Sequence, residues 1–325
     1  MGSRRNRIVI ITAISIAAAI TAAICFLFLF DRTSESEYSY PPKKEKSFVQ
    51  ILFVGDLMFD RGIRYYAEKG GGNNFIFEKI SSLLLDNDLA IINLEGPITD
   101  EKSISSGTKA GSANNYFFTF DPSLAKTLFN QNIRLVGLGN NHILNFGSKG
   151  LASTEKYLDA ANVSYFGAPG GGRSIVKEID GVKIAFVGYN EFAGSDIAAE
   201  QKSAVEEIKK QNLADVVIVF CHWGAEYVKN PSKNIKDLAR QFIDAGADLI
   251  IGSHPHVIQP MEEYKDKRIY YSLGNFIFDQ HFNEDVRQGM GVIVKISKNT
   301  KQLEFEKKIF YLDDNGQTIE KTAEK

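Results

Sequence analysis

The sequence predicts a two-sheet α/β sandwich with helices on its outer faces, carried behind a single N-terminal transmembrane helix. Three observations predict it. Ile8 to Phe30 runs without one charged residue. From Phe48 onward, short runs rich in Ile, Val, Leu and Phe alternate with amphipathic stretches. Beyond Arg268 the apolar runs continue with little helix between them, the order expected when strands of two sheets close over a shared core.

The apolar run comes first. Its polar members are Thr12, Ser15 and Thr21, and a bilayer core needs roughly 20 helical residues to cross. Arg4, Arg5 and Arg7 precede it, while Asp31, Glu35 and Glu37 follow with Arg32. Lys and Arg collect on the cytoplasmic side. The expectation is therefore a cytoplasmic basic N-terminus over residues 1–7, an anchor over 8–30 and an extracytoplasmic remainder, making a single-pass protein of the cell membrane. A cleaved signal peptide is the rival reading. Phe26 to Phe30 after Ala22 and Ala23 is a poor post-cleavage start, and Ile24 before Cys25 is poor for lipoprotein processing. Residues 31–47 are rich in Ser, Glu and Lys around Pro41 and Pro42, and read as a tether.

The chain of 325 residues has room for one large α/β domain beyond the tether. A formal net charge of −2 gives no basic footprint, so nucleic acid is not an expected partner. The two cysteines, Cys25 and Cys221, are too few and too far apart in context for a disulfide framework.

Strands are expected over Val49–Val54, Leu89–Asn93, Arg134–Leu138, Lys183–Gly188, Val216–Phe220 and Leu249–Ile251, then over Arg268–Ser272, Gly291–Ile296 and Leu303–Leu312. Helices are expected over Asn74–Leu85, Pro122–Asn130, Lys149–Ala161, Ala199–Gln211 and Ile235–Ala245. The glycine clusters at Gly70–Gly72 and Gly170–Gly172 lack the Lys-Ser/Thr of a phosphate cradle and read as loops. The globular domain spans 48–312, and 313–325 reads as a frayed polar tail.

The chemistry is positional. Of five histidines, His142, His222, His254 and His256 lie at or just past the C-terminal ends of expected strands, where open α/β sheets bind ligands. Asp56 and Glu95 hold equivalent places. Imidazole with carboxylate suits divalent Mn, Fe or Zn, and two such ions ~3.5–4 Å apart can clamp a displacement at phosphorus. His254 and His256, two apart in extended chain, are expected to point the same way. His281 only trails the last of these positions and reads as structural or surface. Cys221 is expected in the core, on the strand face opposite His222. Asp56 has a competing reading as a helix cap, and Glu95 as a solvated turn residue beside Gly96-Pro97.

Six segments carry a resemblance: Val54 to Arg61, Ile92 to Pro97, Gly139 to His142, His222 to Tyr227, Gly252 to Val257 and Ser272 to Gln280. In this order, from about Gln50 to Gln280, they resemble the CapA (poly-γ-glutamate capsule synthesis) family, a branch of the metallophosphoesterase superfamily. The resemblance implies a metallophosphoesterase-like four-layer α-β-β-α sandwich. By position it implies Asp56 and His256 on one metal ion, Glu95 bridging, and Asn141, His222 and His254 on a second. His142 is then a general acid or phosphoryl-oxygen contact and Arg61 a candidate anion contact. Asn140, Glu226 and Asn275 fall where residues orient ligands or touch substrate. Two departures stand out. Met58 occupies a position that is His across the wider superfamily, removing one imidazole from the first metal. Asn145 stands where relatives often have Asp.

Two functions follow. One is an accessory role in capsule or poly-γ-glutamate synthesis or export, with other capsule proteins and an anionic polymer as partners. The alternative is hydrolysis of an extracellular phosphoester using one or two divalent ions. The resemblance favours the first and the ligand mix the second, and fold-level analogy does not decide activity.

Overall fold

The computed structural model of the chain describes residues 46–170 and 174–321. The basic N-terminus, the apolar run 8–30 and the tether as far as residue 45 lie outside the described residues, as does Cys25. Among those described, no helix is long and apolar enough to cross a membrane.

In chain order the elements are β1 (Phe48–Leu57), α1 (Arg61–Lys69), α2 (Asn74–Phe77), α3 (Ser81–Leu85), β2 (Leu89–Leu94), α4 (Ser123–Asn130), β3 (Ile133–Gly137), α5 (Gly147–Ala160) and β4 (Ser164–Phe166). There follow β5 (Ser174–Ile179), β6 (Val182–Asn190), α6 (Ile197–Lys210), β7 (Val216–His222), α7 (Lys233–Asp244) and β8 (Leu249–Ser253). The last are β9 (Met261–Tyr264), β10 (Lys267–Tyr270), β11 (Asn275–Ile277), β12 (Gln288–Ser297), β13 (Leu303–Leu312) and β14 (Thr318–Lys321).

They form two mixed sheets. The first runs β14-β13-β12-β1-β2-β3-β4, with β11 pairing β1; the second runs β5-β6-β7-β8-β10-β9. Strands β1 to β4 are mutually parallel, as are β6, β7, β8 and β10. Burial on both faces explains why these strands read as continuous apolar runs. In β7, Val216, Ile218 and Phe220 join the core between the sheets, beside Val49, Ile51 and Phe53 of β1. The alternate residues Val217, Val219 and Cys221 pack outward against Ile197, Val205 and Phe242 of α6 and α7. On the far side, Leu52 and Val54 pack outward against Ile63, Leu84, Leu124 and Leu158. Each fully buried Val, Leu, Ile or Phe contributes ~1.5–3 kcal/mol, so the three clusters hold the sandwich together.

Several expectations need correction. The single helix over 74–85 is two short helices, because the backbone tightens at Ile80, whose N–H bonds to the Phe77 carbonyl instead of reaching one residue further back. That unwinding lets Ile76, Phe77, Ile80 and Leu84 all face the core. The helix α1 was not foreseen; its start is capped by the Asp60 carboxylate accepting from Arg61 N–H. The expected frayed tail is ordered as far as Lys321. Strand β14 pairs antiparallel with β13, Gln317 Nε2 donates to the Phe75 carbonyl at 2.7 Å, and the Thr318 hydroxyl donates to the Phe276 carbonyl. The domain therefore runs past Leu312.

Candidate metal centre

The parallel strands deliver their C-terminal ends to one place. Asp56, the penultimate residue of β1, sits in register with Asn93 of β2 and Asn275 of β11. Glu95 follows β2, its N–H bonded to the Leu57 carbonyl. Asn140, Asn141 and His142 follow β3, His222 ends β7, and His254 and His256 follow β8. The β1–β11 crossing depends on Gly55: a Cβ there would sit 1.8 Å from the Gly274 carbonyl oxygen. That approach lets Asp56 N–H donate to the same oxygen at 3.1 Å.

The donor atoms converge. Asp56, Glu95 and His256 each offer one ligand atom within 4.8 Å of the others, as do Glu95, His222 and His254, and also Glu226, His254 and His256. Asn141 Oδ1 lies 3.0 Å from His222 Nε2, and His254 Nδ1 lies 3.1 Å from the same nitrogen. His254 and His256 converge by a route other than extended chain. Their φ angles are +94° and +57°, the left-handed region that β-carbon residues avoid. Such backbone costs ~1–3 kcal/mol per residue and persists where surroundings over-determine it.

Several polar groups aim these donors. His256 Nδ1–H points at Asn275 Oδ1 (2.9 Å) and Asp56 Oδ2 (3.3 Å), which leaves Nε2 turned toward Glu95 Oε1 at 3.7 Å. Asn275 therefore orients His256, as imidazole ligands generally require. Asp56 also accepts from Asn93 Nδ2 at 2.7 Å and from His254 N–H at 3.1 Å. Asn140 Nδ2 donates to Asn93 Oδ1 and the Leu94 carbonyl, while its Oδ1 accepts from His142 N–H. Asn93 and Ser253 were not singled out in the sequence, although both lie inside the matching segments; each touches His222 Nδ1 at 3.1 Å. Phe192, in the single 3-10 turn Glu191–Ala193 that follows β6, lays its half-exposed ring 4.5 Å from that of His254.

Glu95 is the anomaly. It is completely buried, and neither carboxylate oxygen has a hydrogen-bond partner. Burial first, then the charges of Asp56 and Glu226 and the close approach of the Asp56 carboxyl, hold its pKa well above the ordinary carboxylate value, while no N–H or O–H of another residue donates to it. A buried acid without partners is costly. A cation seated among Glu95, Asp56 and the imidazoles removes that cost, so these residues fit a divalent ion.

The competing readings, Glu95 as a solvated turn residue and Asp56 as a helix cap, do not hold: Glu95 is fully buried and Asp60 supplies the cap. His142 Nε2 lies 3.9 Å from Glu95 Oε1 at the mouth. Burial, and then His256, push His142 down to about 4, so the ring is neutral at neutral pH. Asn145 does orient it, with Nδ2 3.3 Å from His142 Nδ1. The same amide nitrogen donates to the Tyr116 carbonyl, so it donates to the ring also. A carboxylate there would accept instead. With the amide donating to Nδ1, the proton of the neutral ring is assigned to Nε2, the nitrogen facing Glu95.

Arg61, expected as an anion contact, has its charge already matched. It pairs with Asp279, donates to the carbonyl and side chain of Asn115, and lies over the Phe118 ring, leaving Nε alone unpartnered. His281 belongs to none of the donor groups and lines a neighbouring cleft of about 390 Å³ with Arg61 and Tyr227. Cys221 is buried on the face opposite His222.

Comparison with known proteins agrees with this architecture. The family model for "Bacterial capsule synthesis protein PGA_cap" matches residues 50–280. The PGA biosynthesis protein CapA of Bacillus subtilis is 30% identical over 286 residues, covering 82% of this chain and 72% of that protein. The capsule biosynthesis protein CapA of Bacillus anthracis is 31% identical over 259 residues, covering 73% of this chain but 61% of that longer protein. A crystal structure of a hypothetical protein from Thermus thermophilus superposes with a TM-score of 0.51 at 17% identity, over 81% of this chain and 99% of that one. That last likeness is one of fold. Six motifs in order, a match over most of the folded part and a Bacillus relative at this identity make the chain a member of the bacterial capsule synthesis protein (CapA) family.

Proposed function

We propose that this chain is a membrane-anchored, extracytoplasmic component of poly-γ-glutamate capsule synthesis or export, and that its strand-edge centre holds one or two divalent ions, Mn, Fe or Zn. The observation that carries the metal reading is Glu95, a buried carboxylate with two unpartnered oxygens amid three imidazoles and Asp56. In this reading Asp56 and His256 hold one cation, Asn141, His222 and His254 hold the other, and Glu95 is shared. Cations there would supply Lewis acidity and neutralise an anionic oxygen of polymer or substrate. Asn275 and Asn140 keep the donors aligned, and Phe192 keeps water from the His254 side. The anchoring reading draws on the sequence of residues 8–30 and the flanking charges.

The test is elemental analysis of the full-length chain purified without chelator, beside His222→Ala. Bound divalent metal in the wild type and a reduced content in the variant support the proposal. Equal content in both would refute the assignment. A second reading, phosphoester hydrolysis at the same metallophosphoesterase-like centre, is favoured by the His142 Nε2–H placed beside Glu95, where it can donate to a phosphoryl oxygen. Turnover of p-nitrophenyl phosphate that requires added Mn and disappears in His142→Ala, with metal retained, would select it.

A further inference from the structure

The two halves of the centre are unequally furnished. The half built on His222 has four donors within reach: Glu95, His222, His254 and Asn141 Oδ1. The half built on His256 has three, Asp56, Glu95 and His256. Nothing further comes from the end of β1, because Met58, the residue that follows it, is buried in the helical core and its Sδ faces Asp60 N–H at 3.0 Å. Asn275 Oδ1 is already committed to His256 Nδ1.

A fourth donor nevertheless stands beside His256. Glu226 offers an oxygen within 4.8 Å of nitrogen atoms on both His254 and His256. Its loop is fixed on both sides. Gly224 N–H donates to Glu191 Oε2 at 2.6 Å, and Tyr227 N–H donates to the Pro255 carbonyl at 2.8 Å, tying the loop after β7 to the histidine turn. Tyr227 adopts φ +63°, its ring lies 6.0 Å from that of His256, and its hydroxyl accepts from Gln280 Nε2. Glu226 is exposed, whereas Asp56, Glu95, His222, His254 and His256 are all buried. It is the donor on the solvent side of the centre.

We infer that Glu226 is a direct metal ligand, the carboxylate that completes the His256 half of the centre in place of a donor from Met58. The inference rests on the metal reading proposed above. It gives the centre two chemically different halves. Asp56, Glu95 and His256, joined by Glu226 reaching in beside His256, would form an oxygen-rich, anionic site of the kind that Mn²⁺ or Mg²⁺ takes. Two imidazoles, one amide oxygen and Glu95 form a nitrogen-rich site of the kind that Zn²⁺ takes.

The experiment uses the purified full-length chain, stripped with EDTA and titrated with Mn²⁺ while free ion is read by electron paramagnetic resonance. Wild type, Glu226→Ala and His222→Ala are compared, then repeated with one equivalent of Zn²⁺ present. The expected result is at least a roughly tenfold weaker Mn²⁺ site in Glu226→Ala, as removal of one anionic ligand implies, with the Zn²⁺ site unchanged. His222→Ala shows the converse. Melting of Glu226→Ala in EDTA should match wild type, because the side chain is exposed. Wild-type Mn²⁺ affinity in Glu226→Ala, with His222→Ala impaired, overturns this inference and leaves the metal reading standing. A wild type that binds neither ion overturns both.

Discussion

Glu95→Gln keeps the shape of the side chain and removes its charge. Without cations, Glu95 is a buried acid with no partner, and its pKa is lifted by burial and then by the Asp56 and Glu226 charges. An acid whose folded pKa is raised keeps a proton that the unfolded chain has already lost. Stability therefore falls as pH climbs from the ordinary glutamate range toward the raised value. Gln cannot ionise and escapes this loss, which at about 1.4 kcal/mol per tenfold change in proton affinity is taken as roughly 1–3 kcal/mol. At roughly 2–4 °C per kcal/mol for a domain of this size, the variant in EDTA at about pH 7.5 should melt ~2–12 °C above wild type. The gap should narrow toward about pH 5, where the unfolded glutamate also begins to hold its proton. Saturating Mn²⁺ reverses the order. At a hundredfold excess over Kd, one bound ion stabilises by ~2.7 kcal/mol, or roughly 5–10 °C, and the variant should gain little of this. Thermal melts of the full-length chain by circular dichroism, in EDTA and in Mn²⁺, read both arms. A variant that melts below wild type in EDTA, or gains the full Mn²⁺ shift, would refute the reasoning.

Three further outcomes follow from the geometry. Asn145→Asp exchanges a donor for an anionic acceptor at His142 Nδ1, so the His142 pKa should rise from about 4 by roughly one unit or more; an NMR titration that leaves it in place contradicts the assigned amide orientation. Gly55→Ala drives a Cβ into the Gly274 carbonyl and should cost about 3 kcal/mol or more while lowering metal content; a melt within ~1 kcal/mol of wild type would show that the β1–β11 crossing yields easily. Asp248 accepts from Lys209 Nζ, Lys267 Nζ and Val217 N–H. Burial alone would raise its pKa, but these bonds prevail and hold it below the ordinary value. Its contribution is present above the unfolded pKa and lost as pH falls through the folded one. Asp248→Ala should therefore cost about 2 kcal/mol near neutrality, discounting the half-exposed lysines, and less below roughly pH 3; urea melts showing no pH dependence in the difference would count against it.

The central strands were legible because two covered faces leave no room for polar alternation, so β1, β2, β7 and β8 announce themselves as apolar runs. Asp56, Glu95, His222, His254 and His256 were legible because parallel strands place their last residues on one edge. The unread elements lack such local marks. Helix α1 buries only Ile63 and Ala67, and its cap lies in a segment read for its resemblance. Strand β14 is four residues long and exists because β13 offers it an edge, which no pattern within Thr318–Lys321 encodes. For the histidine pair the outcome was foreseen and the cause was not: a left-handed turn, where strand alternation was expected, brings the rings together. Asn93 and Ser253 escaped notice because each acts by touching a ligand, a role set by register across strands rather than by residue type.

The donor set straddles a seam. Asp56, Glu95 and Asn141 belong to one sheet, and His222, His254 and His256 to the other. A cation seated here would rivet the two leaves together. Full coordination would then need both leaves in place, and chelation should loosen the chain along this line first. Hydrogen exchange would reveal that as faster opening at the strand tips beside Asp56 and His222 than at the opposite edge of either sheet.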